Sequence, residues 1–138
     1  MDSARDAFQR LLKTNGQSTT TARLCVFEAL LGQEPLTMHQ LVERAGNIDR
    51  ASVYRAVDLF ERLGVVQRLH TGWKYKVELS DKFAEHHHHL TCIRCGATAA
   101  MNEKGLEAVI EQLTAAHHFK PTAHQIEIQG LCTRCQTA

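Results

Sequence analysis

Two cysteine pairs constrain this chain more than any other feature: Cys92-Ile93-Arg94-Cys95 and Cys132-Thr133-Arg134-Cys135, with 36 residues between them. A two-residue spacer lets both thiolates of one turn reach a single ion. Two such turns complete a tetrahedral Cys₄ set with Zn–S distances near ~2.3 Å. Zinc suits the set because it is soft enough for thiolate and has no redox chemistry of its own. A thioredoxin-like redox reading lacks a βαβ context around either pair. Structural zinc at Cys92, Cys95, Cys132 and Cys135 is therefore the expectation, and a closed site of this kind clips a small lobe together at its end. The fifth cysteine, Cys25, stands alone among apolar residues and reads as a small buried hydrophobe.

The remaining bounds are broad. The chain has 138 residues, 43% hydrophobic and 22% charged, which suits a globular protein with one core or two small lobes. No apolar run is long enough for a membrane span, and the first residues lack a signal peptide's apolar segment. A cytoplasmic location is the expectation. Net charge is only +1, and residues 1–79 carry 11 Lys/Arg against 9 Asp/Glu. Charge alone does not point to nucleic acid.

The first half reads as four short helices and a hairpin. Ala4, Phe8, Leu11 and Leu12 recur at helical spacing before Asn15-Gly16. Thr20 or Thr21 caps a second helix carrying Leu24, Phe27 and Leu31. Thr37 and Gln40 form a capping-box pattern ahead of Met38, Leu41, Val42 and Ala45. Asn47 or Asp49 caps a fourth helix, whose stripe is Val53, Val57, Phe60 and Leu63. Strands over 65–69 and 73–79 are expected around Thr71-Gly72, with Tyr75, Val77 and Leu79 buried and Lys74, Lys76 and Glu78 wet. This order predicts a winged helix-turn-helix over residues 1–79, with Gly46 in the turn. Residues 80–85 read as a polar linker. Residues 86–138 read as strand, strand, helix and strand, the last strand beginning at His124. The fold class is thus α+β, an N-terminal winged helix plus a small C-terminal α/β lobe. A lobe of about 55 residues is marginal without a metal or a dimer interface.

Just before the first cysteine pair stands His86-His87-His88-His89. Strand side chains alternate by face, so His86 and His88 point one way and His87 and His89 the other. One run can then seed two metal sites. The first is completed by Glu107 and His124, a His₃Glu set that suits Zn²⁺ and accommodates Fe²⁺, Mn²⁺, Co²⁺ or Ni²⁺. For the second, Glu78 is the nearest plausible carboxylate, although spacing alone reads it equally well as a solvated hairpin residue. His117 and His118 close a helix and read as structural, favourable to its dipole. His39 and His70 read as surface residues.

Together, Thr20-Thr21-Ala22-Arg23, Ala51-Ser52-Val53-Tyr54-Arg55, His86 to Leu90 and the two cysteine motifs resemble the ferric uptake regulator superfamily across nearly the whole chain. The resemblance implies a homodimer joined by its C-terminal lobes, whose winged helices grip an inverted-repeat operator on double-stranded DNA when metal is bound. It implies structural zinc at the four cysteines, a second site at His86, His88, Glu107 and His124, and a regulatory site including Glu78, His87 and His89. Tyr54 and Arg55 match residues that contact DNA. Ser52 lies beside them, and Arg50 and Arg23 are candidates for phosphate contacts. Departures from the family pattern fall at Ser18, Pro35, Gln67 and Ala100, so the regulatory set lacks a familiar fourth ligand. His88, in place of an Asp of many iron sensors, favours zinc over iron or manganese as the signal. An iron-, manganese- or peroxide-responsive regulator is the alternative. A zinc hydrolase is the remote one, since four protein ligands close the site and no H-E-x-x-H is present.

Overall fold

The computed structural model describes residues 3–71 and 73–137. Two compact units divide the chain, residues 1–85 and 86–138.

In the first unit four helices precede a hairpin: α1 (Ala4–Thr14), α2 (Thr21–Leu30), α3 (Met38–Arg44) and α4 (Arg50–Arg62), then β1 (Val66–Thr71) and β2 (Lys74–Leu79). Each helix begins at a side-chain cap that satisfies an otherwise orphaned amide. Ser3 with Asp6, and Thr37 with Gln40, form reciprocal capping boxes, while Thr20 and Asp49 cap α2 and α4. Gly46, at φ +78°, turns the chain between α3 and α4 in a conformation that a Cβ disfavours. The core joins all the helices to the hairpin through Phe8, Leu12, Phe27, Leu30, Leu41, Val53, Val57, Phe60 and Val77. Phe8 and Phe27 stack with ring centroids 4.2 Å apart, and Phe60 meets Phe8 edge-on at 5.1 Å. The extra helix α1 is thus a core element. Leu36 adds a short antiparallel bridge to Val77, extending the hairpin sheet.

Three expectations change here. Strand β1 starts one residue later than expected and runs to Thr71, and Gly72 of the expected turn lies outside the described residues. Glu78 is not wet: its residue is only 3% exposed, and Gln67, its partner across the ladder, donates from Nε2 to its Oε1 at 2.5 Å. Strict alternation failed because the polar face of β2 is solvated only at its start. The third concerns residues 80–85, which are not a free polar linker. Ser80 donates to the Gly64 carbonyl at 2.6 Å, and the Phe83 ring meets Phe27 edge-on at 5.1 Å. One aromatic in a polar hexapeptide is enough to dock it on the first core.

The second unit contains β3 (His88–Cys92), β4 (Thr98–Met101), α5 (Lys104–Ala116), β5 (Glu127–Gly130) and α6 (Thr133–Gln136). Strand β3 is central, antiparallel to β4 and parallel to β5. The parallel pairing requires a crossover, which α5 supplies. His124 precedes β5 and does not begin it, and α6, which carries Cys135, was not anticipated. Among the described residues the apolar stripe of α5 is only partly covered: Leu106 and Ile110 are half-buried, while Val109 and Leu113 stand 49% and 59% exposed.

Candidate metal centres and DNA-reading helix

Folding of β3 between β4 and β5 gathers the four cysteines. Cys92 ends β3, Cys95 follows in the turn, Cys132 immediately precedes α6 and Cys135 lies within it. Ile93 donates its amide to the Gly130 carbonyl at 2.9 Å, and Arg94 Nη1 donates to the Cys135 carbonyl at 2.8 Å, so the two knuckles are laced together. One sulfur from each of the four lies within 4.8 Å of the others. The Sγ atoms of Cys95 and Cys132 are 3.8 Å apart. A tetrahedron with ~2.3 Å bonds has edges of about 3.8 Å, so this spacing is that of thiolates around zinc.

The electrostatics agree. Backbone amides of Cys132, then Cys95 and Arg94, lower the Cys92 thiol to about 5. The amide of Ala97 lowers that of Cys95, whereas the neighbouring sulfur of Cys132 pushes Cys135 up to about 12. Crowded thiols hold fewer than four negative charges by themselves. A divalent cation lets all four ionise together.

The second constellation lies at the other end of β3. Side chains of His86, His88, Glu107 and His124 each offer a donor atom within 4.8 Å of the rest. His88 Nε2 lies 2.6 Å from Glu107 Oε1, His124 Nε2 lies 2.9 Å from Glu107 Oε2, and His86 Nε2 is 3.2 Å from both Glu107 Oε1 and His124 Nε2. Four donors converging from three elements suit one cation, whose tetrahedral ligands at ~2.0–2.1 Å would sit about 3.3 Å apart. Hydrogen bonding from His88 is the main cause that holds the Glu107 carboxyl below its ordinary value, helped by His124 and His86. The carboxylate is thereby kept ionised, as ligation requires.

The other two imidazoles of the run form a separate pair. His87 and His89 meet with ring centroids 4.6 Å apart, while His86 faces His88 at 4.8 Å. This sorting by parity holds even though His86 and His87 precede the strand. Glu78 ends the hairpin of the first unit, buried and held by Gln67. Sequence reading missed that bond, although folding the hairpin about residues 72 and 73 places Gln67 opposite Glu78 and was a usable signal.

On α4 the residues expected to face DNA form two local networks. Ser52 donates to Asp49 Oδ1 at 2.6 Å and accepts from Arg55 Nη2 at 3.0 Å. Arg50 Nη2 donates to the Tyr54 hydroxyl at 3.1 Å, and its guanidinium lies 5.2 Å from the Tyr54 ring centroid. Tyr54 is half-buried, its ring against the core and its hydroxyl turned to Arg50. Arg23 is pinned by a 2.8 Å bond from Nη1 to the Ser18 carbonyl. These arginines are pre-positioned, not loose. Cys25 is half-buried, a little more open than expected.

The ferric uptake regulator family model matches residues 15–129. The ferric uptake regulation protein of Escherichia coli K12 is 32% identical over 130 residues, covering 88% of this chain and 85% of its own length. Among solved structures, the Helicobacter pylori ferric uptake regulator, described as having three functional metal binding sites, superposes with a TM-score of 0.79 at 22% identity, covering 98% of this chain and 95% of that one. A zinc uptake regulator complexed with zinc and DNA gives 0.59 at 21% identity, covering 99% and 97%.

Proposed function

Because the chain belongs to the ferric uptake regulator family, metal-responsive transcription regulators and not enzymes, we propose that it is a zinc-responsive repressor that binds an inverted-repeat operator as a homodimer. The observation that carries this reading is the division of the histidine run. His86 and His88 turn to Glu107 and His124, leaving His87 and His89 as an independent imidazole pair. Cys92, Cys95, Cys132 and Cys135 hold a structural zinc, and His86, His88, Glu107 and His124 hold a second ion. Glu78, His87 and His89 share the signalling ion. The H. pylori relative, with its three functional metal sites, supports this count.

The mechanism follows from where these residues stand in the chain. Glu78 belongs to the hairpin of the DNA-reading unit, and His87 and His89 to the other unit. Drawing the three onto one cation restricts the orientations the two units sample and favours one of them. In a dimer, that choice sets the spacing of two α4 helices against successive major grooves. There Arg55 would fork onto guanine and the Tyr54 ring would pack against thymine methyl, while Arg50 and Arg23 hold phosphates. Ser52 keeps Arg55 aimed. An ion that binds a hundredfold more tightly in one arrangement biases that equilibrium by about 2.7 kcal/mol, which moves it from roughly 1:10 to roughly 10:1.

Zinc is proposed as the signal because His88 supplies an imidazole among the ligands of the second site. Iron is the second reading, favoured by the E. coli relative named as a ferric uptake regulation protein. The deciding experiment selects duplexes from a random pool with zinc-loaded protein, then measures their affinity against buffered free Zn²⁺, Fe²⁺, Mn²⁺ and Ni²⁺ without oxygen. Zinc should act at the lowest free concentration, and His87→Ala with His89→Ala should abolish the response while the cysteine-bound zinc remains. Metal-independent affinity would overturn the sensing role, and a response to iron with none to zinc would transfer it to iron.

A further inference from the structure

We propose that Arg94 and Arg134 are positioning residues for the cysteine-bound zinc: one guanidinium from each knuckle offsets the negative charge by which four thiolates exceed the ion. This rests on the structural-zinc reading above and extends it beyond the four ligands.

The two knuckles share more than their cysteines. Cys92-Ile93-Arg94-Cys95 and Cys132-Thr133-Arg134-Cys135 both carry arginine immediately before the second cysteine. Residues 90–102 and 128–137 contain no other charged side chain of either sign. Four thiolates outweigh a divalent cation by two negative charges, and the two arginines match that excess.

An arginine on an exposed turn is ordinarily a solvated residue. Two contacts separate these from the ordinary case, and they are reciprocal. Arg94, of the first knuckle, donates from Nη1 to the Cys135 carbonyl of the second at 2.8 Å. Arg134, of the second knuckle, hydrogen-bonds the Cys95 side chain of the first, and this bond, with the charge of Cys95, Cys132 and Cys135 behind it, raises its pKa. Each guanidinium thus reaches the knuckle that did not supply it. Cys95 is also the exposed member of the four, so Arg134 meets the sulfur most open to water.

Guanidinium suits this place. It stays charged in proteins and offers five donors in a fixed fork. An N–H donated from a cation to a thiolate is charge-assisted and stronger than a neutral bond. Thiolates packed about one ion repel each other, and a fixed cation beside them lowers that repulsion without taking a coordination position. Because the contacts cross, they also hold the two turns in register. Outer partners that orient and tune ligands in this way commonly govern metal affinity.

The test uses the full-length protein reconstituted with cobalt. Sulfur-to-cobalt charge transfer marks the cysteine site alone, since the histidine-rich sets offer only nitrogen and oxygen. Growth of that band under chelator competition reads cobalt affinity, and its loss to added zinc reads zinc affinity. Arg94→Gln and Arg134→Gln should each weaken zinc there roughly tenfold, and together roughly a hundredfold. Arg94→Lys and Arg134→Lys, which restore the charge, should recover most of the loss. The band position gives a readout that a purely structural role would not move. Removing a nearby cation raises the energy of the sulfur electrons, so saturated Arg134→Gln should absorb at longer wavelength, with Arg134→Lys at the wild-type position. Three results overturn the proposal while leaving the zinc reading intact: wild-type zinc affinity in the double glutamine variant, a loss that lysine does not recover, or an unmoved band in saturated Arg134→Gln. If the wild-type protein holds no metal at its cysteines, this inference falls together with the structural-zinc reading.

Discussion

The Sγ atoms of Cys95 and Cys132 stand 3.8 Å apart across 37 positions of sequence, one on the turn after β3 and the other at the start of α6. Nothing but the second unit's own fold brings them together. That unit offers little apolar burial of its own: among the described residues its buried hydrophobic ones are Cys92 and Cys135, both of the same cluster. The cluster stands where a larger domain has its core.

Removal of zinc should therefore unfold residues 86–138 while the first unit survives. Structural zinc sites contribute apparent binding free energies of about 10 kcal/mol or more near neutral pH, far above what so small a lobe gains by packing. Cys95→Ser and Cys132→Ser should each lose one zinc per chain and the lobe's cooperative melting. Cys25→Ser should retain both. Metal analysis and calorimetry on the three variants check this, and equal zinc content in all would refute it.

Glu107 is the carboxylate on which His86, His88 and His124 converge. Glu107→Gln keeps its size and removes its charge. The second ion should then bind at least about tenfold more weakly, the least effect expected when even a supporting residue is lost. Competition titration against a chelator, counted beside an unchanged cysteine-bound zinc, measures it.

Phe27 is fully buried and stacked on Phe8 at 4.2 Å. Phe27→Ala should destabilise the first unit by about 3–5 kcal/mol, because a cavity opens between α1, α2 and α4. Denaturant melts should show the loss in that unit alone. A change below ~1 kcal/mol would mean that α1 is not part of its core.

Asp49 caps α4, and its carboxyl is held below its ordinary 3.8 first by the side-chain hydrogen bond from Ser52 and then by the Ser52 amide. A depressed folded value means that the carboxylate stabilises the fold above 3.8, and that this stability is lost as pH falls through the lower folded value. Asp49→Asn, still an acceptor, should keep the cap and flatten the acid limb of the stability profile. Asp49→Ala should lower Tm at neutral pH and blunt the same limb. The checks are thermal melts of the three proteins between pH 2 and 7 (about the range over which carboxylates titrate).

Much of the first unit was legible along the chain. The caps at Thr20, Thr37 and Asp49 and the stripes of α3 and α4 follow from local chemistry, which acts over three or four residues. The pairing of the histidines by parity was legible too, because neighbours in extended backbone point to opposite sides. The exposure of Glu78 and the strand start at His124 were misread for a common reason. Their surroundings come from distant segments, and alternation says nothing about what covers a face. Residues 80–85 misled because one phenylalanine outweighed five neighbours of mostly polar character. Strand order was hidden as well: the parallel pairing of β3 with β5 depends on where α5 returns the chain.

Residue types and spacing alone pointed to the cysteines and the histidine run as candidate donors, since two C-x-x-C units and four adjacent imidazoles permit few other uses and their chemistry is intrinsic to each side chain. Tertiary structure alone decided that Glu107 from a helix and His124 from irregular backbone meet His86 and His88, and that Glu78 is buried under Gln67. Ligand identity is local chemistry, but convergence is a three-dimensional property, set by how strands pair and which faces the packing leaves uncovered.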